Sequence, residues 1–208
     1  MARIDAPQLA KVDITFFGQS VFDTPQSAQF ITRTPKLKAL EKAHVIFDED
    51  YFFGVLFSSR TFGYGKLKVT IPRTKIDRQL RFLDELCTRC LPHLSVVEHL
   101  YIDEDPDWIG GWQDNISHML WLGLLGPFPA VTNLYLCEAI CLTVLPELIA
   151  SGTTEEWPTL QNIFLEGIEP SGPVYERIQQ FVSTWQVVGQ TIAVSSWDRD
   201  RSNLEAND

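Results

Sequence analysis

The chain has 208 residues, 45% of them hydrophobic, and its 17 Lys and Arg against 27 Asp and Glu give a formal net charge of −10. That length and apolar share suffice for one sizeable core or a short solenoid. The acidity excludes a general nucleic-acid binder, because a phosphate backbone would be repelled. No run of about 18 apolar residues is present to cross a membrane.

In chain order, the first predicted strand is "LAKVDITF" (Leu9–Phe16), which opens apolar-x-x-apolar-x-apolar. A helix follows in "TPQSAQFITRT", with Thr24 as N-cap and Pro25 at the first helical position. The opening pattern returns in "LEKAHVIF" (Leu40–Phe47). "YFFGVLF" (Tyr51–Phe57) alternates apolar residues ahead of Gly63 and Gly65, and reads as an extra strand where a helix is due. "YGKLKVTI" (Tyr64–Ile71) is the next strand, and "KIDRQLRFLDELCTRCL" then places Ile76, Leu80, Leu83, Cys87 and Leu91 on one helical stripe. "VEHLYI" (Val97–Ile102) precedes a helix that stops at Gly126 before Pro127. "VTNLYL" (Val131–Leu136) and "LQNIFL" (Leu160–Leu165) repeat the pattern again. "SGPVYERIQQFVSTW" is a helix from Ser171 that brings Val174, Ile178, Phe181 and Trp185 together, and "GQTIAV" (Gly189–Val194) is the last strand.

The second apolar position falls at Val12, Ala43, Leu67, Leu100, Leu134, Ile163 and Ile192, with gaps of 24 to 34 residues. A recurrence of this kind is the mark of stacked units, none of which buries its own apolar face alone. The expected fold is α/β: a leucine-rich-repeat-like solenoid of about seven repeats, short parallel strands alternating with helices, one repeat carrying an extra strand. A doubly wound sheet alternates strands and helices at a similar period, but no Gly-rich phosphate loop follows any strand here. One domain over residues 1–197 is expected, ending at Trp197, with "DRDRSNLEAND" (198–208) as a disordered polar tail.

Four stretches carry a resemblance: "VDITFFGQSVFDTPQSAQFITRTPKLKALEKAHVIF", "VEHLYIDED", "WLGLLGPFPAVTNLYL" and "WPTLQNIFLEGIEPSGPVYERIQQFV". Together they resemble the leucine-rich half of F-box/LRR-like proteins of mushroom-forming fungi, over nearly all of residues 9–198. In that family an upstream F-box couples the protein to a ubiquitin ligase. No F-box is legible in this sequence, so the resemblance implies the substrate-recognition half without its coupling half.

Residue chemistry adds constraints of its own. Cys87, Cys90, Cys137 and Cys141 are expected to be reduced and to pack as small apolar side chains, since a core of this size needs no disulfides. "CTRC" with His93 and His99 has the composition of a zinc site, but Cys87 shares the helical stripe of Leu80 and Leu83 and so belongs to the core. With His44, His93, His99 and His118 the only histidines, and no nucleophile elbow or phosphate loop, no enzyme, cofactor or metal is expected. The N-terminus has no signal-peptide pattern, so a cytoplasmic or nuclear location follows.

Strand geometry gives the candidate site. Between the core-facing residues lie Asp13, His44, Lys68, Tyr101, Tyr135, Phe164 and Ala193, which must point to the opposite face. Tyr101, Tyr135 and Phe164 would then form one aromatic stripe, the arrangement a protein-recognition face needs. His99, Asn133 and Asn162 continue a flanking row that begins with Lys11, Lys42 and Lys66. Asp103 and Glu166 flank the other side. The stripe faces solvent in this reading, or its rings fill the face against each other. The expected partner is a protein on the strand face, with neither nucleic acid nor membrane, and a homodimer through an uncapped N-terminal repeat is a further expectation. A structural fragment that mates with a missing N-terminal half, or an α/β enzyme with an unrecognised site, are the alternatives.

Overall fold

The computed structural model of the chain describes residues 11–15, 29, 31, 33–34, 40–47, 52–59, 66–72, 84, 86–88, 91, 94–104, 125–138, 140–141, 159–167, 172–187 and 189–198. The Thr24–Pro25 helix start, the Ile76, Leu80 and Leu83 stripe, Cys90, His93, His118 and the tail after Asp198 lie outside the described residues.

Eight strands form one sheet: β1 (Lys11–Thr15), β2 (Lys42–Phe47), β3 (Phe52–Ser58), β4 (Lys66–Pro72), β5 (His99–Glu104), β6 (Asn133–Leu136), β7 (Asn162–Glu166) and β8 (Ala193–Trp197). Their spatial order is β1-β4-β3-β2-β5-β6-β7-β8. β3 is antiparallel to both of its neighbours, and every other pairing is parallel. The protein is therefore α/β in class with a mostly parallel sheet. Each strand arises from period-two alternation: Ala43, Val45 and Phe47 in β2, Leu100 and Ile102 in β5, Leu134 and Leu136 in β6, and Ile163 and Leu165 in β7 are all buried.

The extra strand occurs as expected, within one residue of its predicted bounds, but it reorders the sheet. A solenoid stacks its strands in chain order, which would place the extra strand and the Leu67 strand between those of His44 and His99. Instead β2 and β5 are direct neighbours, with Lys42 opposite His99. Only four residues separate β2 from β3, too few for a parallel crossover, so β3 must return antiparallel beside β2. β4 then adds to the far side of β3, and β1 pairs with β4 at the sheet edge. The other side of β2 is left for β5.

From β2 onward the strand starts are built alike. The N–H groups of Glu98 and His99 converge on the Glu41 carbonyl, those of Thr132 and Asn133 on Glu98, and those of Gln161 and Asn162 on Thr132. This shared geometry holds β2, β5, β6 and β7 in one register.

The last strand departs from expectation by two residues. Ile192 and Ala193 were expected opposite Ile163 and Phe164, but Val194 and Ser195 occupy those places, and Ala193 pairs with Asn162. A two-residue shift preserves which face each residue points to. Its cause lies in helix α1 (Pro173–Val187), the most complete helix among the described residues. Gly189, at φ 82°, donates its N–H to the Gln186 carbonyl, and Gln190 donates to Trp185. This is a Schellman cap, so Gly189 and Gln190 belong to the helix end and not to the strand.

The core lies on one face of the sheet. Ile178, Phe181, Val182 and Trp185 of α1 join the strand residues in one buried cluster with Ile31, Leu86, Cys87, Leu125, Phe128, Ile140 and Cys141. The predicted α1 stripe is thus seen at Ile178, Phe181 and Trp185. Burial of Cys87, Cys137 and Cys141, none of them in a disulfide, accords with their reading as packing residues.

Candidate functional site

The opposite face carries the chemistry. Its central row, read across the sheet, is Asp13, Lys68, Leu56, His44, Tyr101, Tyr135, Phe164 and Ser195. Parallel strands hold identical positions side by side, so three consecutive aromatics in this row meet face to face. Tyr101 and Tyr135 stack with ring centroids 4.0 Å apart and planes 11° from parallel, and Tyr135 and Phe164 stack at 4.5 Å and 9°. The three rings are half-buried, so they do not simply face solvent. They cover one another, and stacked pairs add about 0.5–1.5 kcal/mol each beyond the area they bury.

Trp197 was read from sequence only as the last packed residue, yet it is part of this face. Its indole approaches Tyr101 at 5.8 Å and Tyr135 at 5.6 Å, edge-on to the second. Two-residue alternation from Ala193 through Ser195 puts Trp197 on the aromatic side in either register of β8, so this signal was present in the sequence.

The flanking row is polar and joined. His99 Nδ1 and the Tyr135 hydroxyl lie 3.3 Å apart, a hydrogen bond whose direction follows the imidazole tautomer. Asn162 Nδ2 donates to Asn133 Oδ1 at 2.9 Å, Asn133 Nδ2 donates to Thr132 Oγ1 at 2.8 Å, and Thr132 Oγ1 donates to the Glu98 carbonyl at 3.2 Å. This chain of bonds crosses three strands and fixes the side chains that border the stack. Lys11, Lys66, Ser58 and Lys42 extend the same row toward β1.

The acidic flank is divided. Glu166 is half-buried beside Trp197, its register partner. Asp103 was expected at the surface but is only 3% exposed, and its Oδ2 lies 3.2 Å from His44 Nε2. A buried carboxylate needs a partner of this kind, and β2 supplies one because it adjoins β5. Asp103 therefore anchors the β2–β5 seam. The His44 ring in turn packs on Tyr101 at 5.7 Å.

The sequence-predicted residues Tyr101, Tyr135, Phe164, His99, Asn133, Asn162 and Glu166 thus share one face, with Asp103 beneath its margin. Cys137, just past β6, is on the buried side of this region. Burial pushes its thiol up to about 12, with Asp103 and Glu104 adding to the effect, so it stays protonated and is no nucleophile at neutral pH. Burial raises the Cys141 thiol likewise. Among the described residues, no group of three or more His, Cys, Asp and Glu is placed to hold a metal ion. Among those residues, too, no helix is long and apolar enough to cross a membrane.

The fold and site define an α/β protein with a mostly parallel sheet, a core on one face and an aromatic stack on the other. No protein-family model, no curated protein and no solved structure matches the chain.

Proposed function

We propose that this chain is a non-enzymatic recognition solenoid of the leucine-rich-repeat kind, about seven repeats long, that holds a protein partner on its strand face in the cytoplasm or nucleus. Its sequence resembles the substrate-binding half of F-box/LRR-like proteins, and substrate recognition for a ubiquitin ligase is the role that resemblance implies. The observation that supports the reading is the Tyr101–Tyr135–Phe164 stack on the face turned away from the core. Rings locked against each other have little rotamer freedom left to lose, so a partner that docks on them bears a small ordering cost. Tyr residues also combine a large apolar edge with a hydroxyl, the pairing enriched at the centres of protein interfaces.

The test is an affinity pull-down with wild type and Tyr135→Ala side by side, after circular dichroism has established that both are folded. A partner retained by wild type and lost by Tyr135→Ala supports the reading. Equal retention by both would remove the stack from recognition.

A further inference from the structure

The two edges of the sheet are unlike. β1 at one edge carries Lys11 and Asp13, whereas β8 at the other reads Ala-Val-Ser-Ser-Trp, with neither charge nor proline. Sheet proteins guard an edge with charged side chains, proline or bulges, because its outward N–H and C=O groups are a template for another strand. β8 has none of these guards. It pairs with β7 from Ala193 to Trp197 without a bulge, and no described strand lies on its far side. Ala193, Ser195 and Ser196 are exposed, so the edge is open. Its one large side chain does not overhang it, since the Trp197 indole reaches back over the sheet to Tyr101 and Tyr135.

Backbone directions at this edge follow from one bond. Ala193 donates its N–H to the Gln161 carbonyl at 2.8 Å, so Ala193, Ser195 and Trp197 turn their peptide groups to β7. Val194 and Ser196 turn theirs outward. Val194 also packs against the core, while Ala193, Ser195 and Trp197 lie on the aromatic side. A strand added here must match core face to core face, or its apolar side chains would be left on the wrong side.

A second β8 meets these conditions. About a two-fold axis normal to the sheet, antiparallel pairing keeps the core faces together only when the axis passes through a residue, never between two. Centred on Ser195, the axis pairs the whole strand: Ala193 with Trp197, Val194 with Ser196, and Ser195 with itself. The outward groups of Val194 and Ser196 then exchange both of their bonds, as a hydrogen-bonded pair of an antiparallel ladder does. No charge falls within the pairing. Centring on Ser196 would set Asp198 opposite Val194 on the core side, and centring on Val194 would pair Trp197 with Thr191, outside the strand. β1 fails the same test, because an axis through the middle of that strand sets Asp13 against Asp13, and like charges directly opposite destabilise. A β1 edge laid on a β8 edge is head-to-tail and does not close.

We infer that the chain pairs with a second copy of itself edge to edge through β8, about a two-fold axis at Ser195. The sheet runs on through both copies, with their aromatic stacks on the same side. The inference concerns the edge and does not depend on the partner proposed for the face.

Sedimentation velocity of the whole chain, from about 1 μM to 1 mM, tests it over the range that suits so small an interface. Wild type is expected to show a reversible equilibrium that reaches twice the 23.7 kDa of one chain and goes no further. Ser195→Lys sets two cations across the axis and is expected to weaken the dimer about fivefold at low salt, and Ser195→Asp likewise. An equimolar mixture of the two restores it, because residue 195 of one copy meets residue 195 of the other. Ser196→Pro removes an outward N–H without touching the bonds to β7 and is expected to abolish the dimer. Far-ultraviolet circular dichroism must match wild type for each variant, and the Ser195 pair and Ser196→Pro serve as independent probes. A wild type that stays monomeric throughout, or that grows beyond a dimer, would overturn the inference. So would a dimer indifferent to Ser196→Pro, or one that the mixed Lys and Asp variants fail to restore.

Discussion

Adjacent residues of β6 point to opposite environments and should respond differently to truncation. Leu134 is fully buried in the core, so Leu134→Ala should cost roughly 2–5 kcal/mol. Tyr135 is half-buried and loses two stacking partners and the His99 bond when truncated. Tyr135→Ala should therefore cost about 1–2 kcal/mol, more than a freely exposed side chain and less than Leu134→Ala. Urea denaturation of the two variants checks the order, and a larger loss for Tyr135→Ala would mean the faces are reversed. Cys137 gives a pH signature. Its folded thiol is raised above its unfolded value near 9, so its contribution is whole below pH 9 and is lost as pH rises toward 12. Stability should fall above pH 9 by on the order of 1 kcal/mol per unit for each such thiol, and Cys137→Ser should lessen that slope in denaturation curves taken from pH 8 to 10, with buried Cys141 supplying the remainder. The alternation of faces was legible in "VTNLYL" because period two is a local property. The burial of Asp103 was not, because its His44 partner is 59 residues away and depends on the strand order.

At the scale of elements, α1 and β8 are coupled by the turn between them. Gly189 at φ 82° is a conformation that a Cβ disfavours, and it donates one of the two capping bonds. Gly189→Ala should destabilise by about 1 kcal/mol, visible as a lower thermal midpoint, although nothing lies within 4 Å of an added Cβ. A larger loss would point to packing that the turn does not contain. The helix itself could be read in the sequence from Pro173 and from the spacing of Ile178, Phe181 and Trp185. The register of β8 could not. "GQTIAV" fits the apolar pattern of a strand, and only the cap bonds show that its first two residues end the helix. The face of Trp197 is the same in either register, since a shift of two residues keeps every side chain on its side; what the local pattern does not contain is the reach of its indole to Tyr101 and Tyr135.

For the whole molecule, the decisive element is β3. Once "YFFGVLF" turns back beside β2, the N-terminal strands form one half of the sheet and the C-terminal strands the other. Sequence pattern announced the extra strand but not its neighbours, because pairing is settled by chain reach and open edges rather than by alternation. β1 is bound on one side by β4, and only Val12 of its five residues is buried. Its amides should exchange hydrogen faster than those of β5, β6 and β7, each of which lies between two strands. Mass spectrometry of exchanged peptides would expose an error if β1 were as protected as β6.

The central claim, that the aromatic face of the sheet is the surface a partner occupies, is tested most directly by site-specific photocrosslinking. A benzophenone amino acid at Ala193, an exposed position on that face beside Asn162, leaves the three stacked rings unaltered. The same label at Gln179, exposed on α1, reports on the helical side. Irradiation in an extract of the source cells should give a discrete adduct from Ala193 and none from Gln179. An adduct from Gln179 with none from Ala193 would contradict the account.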